Sequence, residues 1–203
     1  MEDDSAKLWN HRFKQEGAVW GIEPSPAAVK AAELFKKKKA CGILEVGCAY
    51  GRDVEYFRRE GFEAVGIDAS EEALRLGKKL FPKADLRLGS LLNLPFKDAS
   101  YDAVYGFFIF HIFTSTERKK AFDEMMRVLK PGGLLVHSVP SEKDEKFGPK
   151  GTRGSEGKYF TKKEIREMLA GMTEVEITED LVNHTHGGTH IHADIYFTAQ
   201  KPN

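Results

Sequence analysis

The residues in this chain best arranged for chemistry lie in one stretch, Gly42–Asp53, which reads GILEVGCAYGRD. Ile43, Leu44 and Val46, with Glu45 set among them, have the apolar character of a buried strand. Gly47 and Gly51 open a loop, and Val54-Glu55-Tyr56-Phe57 has helical character. A strand, a glycine turn and a helix start bring backbone N–H groups and the positive end of a helix up to a ligand. Histidines supply the second candidate chemistry. His111 follows the apolar run Tyr101–Phe110, and His184, His186, His190 and His192 fall in NHTHGGTHIH near the end of the chain. An imidazole suits proton transfer near neutral pH, and His190 and His192 share a strand face by period two, as a metal pair does.

The elements around these residues can be read in order. Ser5–Glu16 forms a helix with Ser5 as a possible N-cap and Leu8, Trp9, Arg12 and Phe13 on one face, and Gly17 breaks it. Pro24 and Pro26 hold the next loop extended before a helix from Ala27 to Lys39. After the glycine loop come helix Asp53–Glu60, strand Phe62–Ile67 ended by Asp68, and a helix capped by Ser70 that runs to Leu80. Strand Leu86–Leu88, strand Tyr101–Phe110, helix Ser115–Leu129 and strand Leu134–Val139 follow. Strands and helices alternate without hairpin signals, which predicts a parallel sheet with right-handed crossovers. Ser141–Lys158 is polar, rich in Gly and Lys, and reads as a long mobile loop. Thr161–Leu169 is a helix opened by a capping box with Glu164, and Glu174–Leu181 and Ile191–Ala199 form a closing antiparallel pair.

Composition bounds the function. The 203 residues fit one domain, and 31 basic residues balance 31 acidic ones, so charge alone argues neither for a nucleic acid nor for a membrane surface. Two cysteines, Cys41 and Cys48, an acidic start without an apolar run behind it, and no stretch long enough for a membrane span lead to the expectation of a soluble protein of the reducing cytoplasm.

Two cofactor classes use a strand, loop and helix of this kind with an acid about 20 residues on, the dinucleotides and S-adenosylmethionine. The dinucleotide fingerprint needs glycines where this chain has Ala49 and Arg52, and a bulky Arg fits poorly where helix and strand should pack. A phosphate-binding G-x-x-x-x-G-K-[ST] loop is missing from the sequence. The pattern E-x-G-x-A-x-G with strand-ending Asp68 instead resembles the first motifs of the class I S-adenosylmethionine-dependent methyltransferases. Gly66-Ile67-Asp68-Ala69-Ser70, Gly89-Ser90, Leu94-Pro95-Phe96, Ser100–Val104 and Leu129–Leu134 are similar to that family's later landmarks, in order, across residues 40–140.

The resemblance implies a Rossmann-like α/β fold, a seven-stranded, mostly parallel sheet with helices on both faces and a C-terminal antiparallel strand. It implies S-adenosyl-L-methionine as methyl donor and S-adenosyl-L-homocysteine as product. Asp68 would accept from the ribose hydroxyls beside Ala69. Gly47, Cys48, Ala49 and Gly51 would let the backbone approach the methionine portion, and Glu45 would hold its amino group. Ser90, after Gly89, stands where the family commonly has Asp for the adenine amine, a contact that can pass to the backbone at Leu91. Gly106 and Phe107 would line the methionine end. The segment Trp9–Phe13, Trp20 and Pro24 also resembles small-molecule methyltransferases of the tellurite-resistance and thiopurine type, in which an aromatic amino-terminal segment covers the cofactor. Trp20 and Phe13 read equally well as core aromatics.

The acceptor is then expected to be a small molecule, with His111, His186 and His190 as candidate proton-transfer or substrate groups. The signature that grips an exocyclic base amine is missing, which argues with the net charge against nucleic acid. Two alternatives are a non-catalytic donor-binding subunit for a partner and a metal-binding protein built on the histidine hairpin. The expected organisation is one domain over 1–203, as monomer or homodimer. It comprises a helical cap segment (1–39), a cofactor core (40–140), a mobile loop (141–160), and a helix with a terminal hairpin (161–203).

Overall fold

A computed structural model describes residues 4–144, 158–185 and 189–203, with the backbone alone at 4–5, 183–185 and 189–190. Seven strands form one sheet in the order β3-β2-β1-β4-β5-β7-β6. They are β1 (Gly42–Val46), β2 (Glu63–Asp68), β3 (Asp85–Leu88), β4 (Tyr101–Phe107), β5 (Leu129–Pro140), β6 (Thr173–Thr185) and β7 (Thr189–Gln200). Strands β1 to β5 pair in parallel, whereas β7 runs antiparallel to both β5 and β6 and lies between them. β6 therefore points the same way as β5, and its far end lies at the carboxyl edge of the sheet.

Alternation along the strands assigns side chains to two layers. On one face Ile43, Ala103, Tyr105 and Val136 pack against α2 (Pro26–Lys38), α3 (Arg52–Arg59) and α4 (Glu71–Leu80). On the other, Leu44, Val46, Val104 and Leu135 meet α5 (Ser115–Val128) and α6 (Lys162–Met168). Both faces being covered explains why β1 and β4 are almost wholly buried. Strand order reverses between β1 and β4, which opens a crevice at their carboxyl ends.

Several boundaries differ from the sequence reading, each for a local reason. α1 (Asp4–Glu16) is helical from Asp4, so Ser5 lies inside it and not at its cap. β4 ends at Phe107 and not Phe110, because Phe108 takes a left-handed φ of 52° while its N–H donates to the Ser138 carbonyl at 3.0 Å. A short 3-10 turn, Phe110–Ile112, follows. β5 begins at Leu129, paired with Tyr101 ahead of a register shift, where the periodicity had extended the helix. Among the described residues no helix is long and apolar enough to cross a membrane.

Candidate active site

The glycine loop leaves β1 at the crevice. Gly47 and Cys48 N–H groups both donate to the Ile67 carbonyl of β2, at 2.8 and 3.1 Å. Gly47 has φ 68°, and a Cβ there would stand 2.7 Å from Ile109 Cδ1, so a side chain at this position is excluded by both backbone and space. Ala49 also has a positive φ, 50°, at the position where the resembling family usually has glycine. An L-residue there costs about 1 kcal/mol. Ala49→Gly is expected to leave stability unchanged or raise it by up to about 1 kcal/mol, read as the urea midpoint; a clear loss would show that the methyl packs.

Asp68 ends β2 and ties the site together. One carboxylate oxygen accepts from Ala49 N–H and the other from Ser70 N–H, both at 2.8 Å. Burial raises its pKa, opposed by N–H groups of Ser70, Ala49 and Ala69. Each oxygen keeps acceptor capacity for a further donor such as a ribose hydroxyl. Ser70 caps α4 and donates to Asn10 Oδ1 at 2.7 Å, so α1 docks on the helix that Asp68 initiates. Gly89 N–H binds the Asp68 carbonyl, and the Ser90 hydroxyl accepts from Leu92 N–H at 3.1 Å, forming a tight turn around Leu91, whose side chain is buried.

Glu45 lies at the loop's base, 4% exposed, and its Oε2 has no hydrogen-bond partner among the described residues. Its pKa is raised well above the ordinary range, first by burial and then by the charges of Asp53 and Asp68, against the pull of Arg52 and the Val54 N–H. A buried carboxyl with an unsatisfied oxygen among other acids favours an incoming cation. Gly106 ends up between β1 and β5, opposite Val46 and His137, and Phe107 stacks on Phe108 with ring centroids 4.6 Å apart.

Trp20 stands over the loop within an aromatic cluster. Its ring stacks on Tyr50 at 6.1 Å and meets Trp9 and Phe13 at 5.8 and 5.6 Å, while its N–H donates to the Tyr50 hydroxyl and its carbonyl accepts from Arg52. Arg52, which rules against a dinucleotide in the sequence, thus has a structural partner. Periodicity gives no sign of a second anchor. Ser25, the cap of α2, donates its N–H and hydroxyl to the Asp53 carboxylate at 2.7 and 2.6 Å, and the Tyr105 hydroxyl joins them at 3.0 Å from Ser25 Oγ. The Pro24-Ser25-Pro26 punctuation is its one signal in the sequence.

His111 lies in the 3-10 turn beside the crevice, its ring edge-on to Phe108 at 6.1 Å and its carbonyl accepting from Lys158 N–H. His190 is in β7 opposite His184, its side chain outside the described residues, as is His186 altogether. The structure also places a pair that the sequence reading did not single out. His192 Nδ1 lies 2.7 Å from Asp144 Oδ2, both side chains buried, and that oxygen also accepts from Ala193 N–H. Among the described residues no group of three or more His, Cys, Asp or Glu is placed to hold a metal.

The glycine loop and Asp68 lie within residues 43–133, which match the family model described as a methyltransferase domain. The match to a methyltransferase domain implies S-adenosylmethionine as the cofactor. Among curated relatives, a demethylmenaquinone methyltransferase of Renibacterium salmoninarum is 38% identical over 107 residues, 53% of this chain and 44% of that protein. The chain spans less than half the length of this relative. Solved structures share the fold across the chain. One comes from work on the conversion of a disulfide bond into a thioacetal group during echinomycin biosynthesis, with TM-score 0.78, 18% identity, and 98% of this chain and 94% of that one covered. TehB of Haemophilus influenzae gives TM-score 0.72 at 15% identity, over 95% of this chain and 66% of that one.

Proposed function

We propose that this protein transfers a methyl group from S-adenosylmethionine to a small organic acceptor by in-line displacement. The observation that carries the reading is Asp68, which holds the glycine loop and the α4 terminus at once and faces the crevice where the strand order reverses. In this reading Asp68 accepts from the ribose hydroxyls and the Gly47–Gly51 backbone receives the methionine portion. Glu45 takes the amino group, the Ser90–Leu91 turn meets the adenine, and Gly106 and Phe107 line the reacting end. Trp20 and its cluster exclude water above the loop. When bound, the donor supplies an electrophilic methyl group. The chain's own contribution is alignment, exclusion of water, and removal of a proton where the acceptor carries one. His111 in the 3-10 turn and His190 in β7, with His186 by its place in the sequence, belong to the acceptor side in this reading. A small acceptor is supported by the name of the Renibacterium relative, and balanced charge argues against nucleic acid. A content of only two cysteines is consistent with a reducing, cytoplasmic setting.

Calorimetry tests the donor half. Wild type is expected to bind S-adenosylmethionine and S-adenosylhomocysteine, and Asp68→Ala to bind at least about 100-fold more weakly, since a charged acceptor of two hydroxyls is lost. Wild type that binds neither would end the reading.

A further inference from the structure

The carboxyl edge carries a histidine–carboxylate pair to which the acceptor chemistry can be assigned. β5 reaches this edge at Pro140, which pairs with Asp194, so the residues of β7 before Asp194 stand beyond the last β5 pair. His192 is among them. Asp144 comes up from the segment leaving β5, anchored by Ser141 N–H to the Ala193 carbonyl and by Asp144 N–H to the Ser141 carbonyl. Its carboxylate receives the His192 ring nitrogen at 2.7 Å and Ala193 N–H at 3.0 Å.

Two hydrogen bonds to one carboxylate oxygen fix the ring's rotation and tautomer. With Nδ1 donating to Asp144, the lone pair of neutral His192 resides on Nε2. A partner carboxylate that selects the tautomer and stabilises the imidazolium is what a general base requires. Position agrees with this use. From β4, whose end carries Gly106 and Phe107, to β7 is two strand spacings, roughly 10 Å, with β5 between them, and His192 stands past the last β5 pair at the same edge. Among the described residues, the charged groups on this face of β7 and β6 include Asp194, next but one along β7, Asp180 opposite it on β6, and Glu176 opposite Thr198.

We infer that His192, held by Asp144, takes the proton from an acceptor that arrives protonated. This rests on the methyl-transfer reading. The acceptor's lone pair forms the bond to the methyl carbon, the carbon–sulfur bond breaks with its electron pair going to sulfur, and the acceptor's proton moves to His192 Nε2. Asp144 acts through His192 and is a positioning residue.

The test has two arms. In 15N-labelled protein with S-adenosylhomocysteine, histidine ring shifts should show His192 with its proton on Nδ1, and Asp144→Asn should lose that preference. A proton on Nε2 in wild type would overturn the inference. In the second arm a naphthoquinol, an aryl thiol and an aryl amine serve as probe acceptors. His192→Gln should lower kcat about 100-fold or more with S-adenosylhomocysteine affinity kept, Asp144→Asn should lose less, and imidazole should restore His192→Ala. Turnover by His192→Gln within threefold of wild type, or no imidazole rescue, would overturn the assignment and leave methyl transfer standing. Wild type that binds donor and methylates none of the probes would overturn both, and wild type that binds no donor would already have failed the calorimetric test.

Discussion

Between pH 6.5 and pH 3, the protein is expected to lose about 5 kcal/mol of stability that a His137→Leu variant keeps. His137 is fully buried in β5, its ring stacked between Phe110 at 4.5 Å and Phe197 at 5.7 Å. Its Nε2 has no hydrogen-bond partner among the described residues and presses on Gly106, where an added Cβ would stand 2.5 Å away. Burial lowers its pKa from 6.5 to about 3, with the backbone at Ser138 and Gly106 opposing and the nearby His111 reinforcing the effect. Above pH 6.5 the ring is neutral in both states and contributes nothing to the pH dependence. As the pH falls below 6.5 the unfolded chain takes up a proton that the folded ring refuses, and stability drops by up to about 1.4 kcal/mol per pH unit. Below about pH 3 both states are protonated and this loss levels off. Paired carboxylates such as Glu55 and Glu124, held below their ordinary pKa by arginines, also lose stability in acid, so the difference between wild type and variant is the quantity to read. Urea titrations at pH 7, 5 and 4 supply it. Parallel curves for the two proteins would show that the ring protonates in place.

Asp53→Ala should destabilise the protein by about 3 kcal/mol at neutral pH. The carboxylate is 2% exposed and receives Ser25 N–H, Ser25 Oγ and, at 3.3 Å, the Tyr105 hydroxyl, with Arg52 Nε 3.7 Å away. Removing it leaves those donors buried without an acceptor, the costly case for polar groups. Ser25 also opens α2, so the segment carrying Trp20 loses one of its attachments to the glycine loop and keeps those through Tyr50 and Arg52. Both tryptophans, Trp9 and Trp20, belong to the aromatic cluster there, and their emission should shift to the red. A stability change below about 1 kcal/mol would mean that Arg52 and water replace the carboxylate. Asp53→Asn, which keeps an acceptor, should fall between.

What the sequence shows well is whatever depends on neighbours along the chain. Glycines 47 and 51, the acid at 68 and the apolar runs of β1, β2 and β4 are local signals, and the family landmarks from Gly66 to Gly133 are a string of them. Contacts between distant segments leave no period. Ser25 meets Asp53 across 28 residues and Asp144 meets His192 across 48, and both pairs consist of residue types common on surfaces. The end of β4 failed for a different reason. Phe108, Ile109 and Phe110 continue the apolar run, and nothing in their composition signals the positive φ at Phe108, which the Ser138 carbonyl and the 3-10 turn impose from outside. Phenylalanine in that region stores about 1–3 kcal/mol, a pattern that gathers at functional sites.

The place of β7 has a further consequence, for how the chain reaches this state. The strand at the end of the sequence fills an interior position of the sheet, with Leu134 paired to Gln200 and Thr173 to the same residue from the other side. During synthesis β1 to β5 can assemble as their residues emerge, but the outer edge of β5 has no ladder partner until 189–200 follow, and β6 cannot join at all. Closure of such distant pairings is slow because loop entropy must be overcome before any contact rewards it. Until then β5 offers an unprotected edge of apolar residues, Leu134, Leu135, Val136 and Val139, to other chains. The last dozen strand residues are therefore the step that completes the sheet within one chain and steers it away from edge-to-edge association.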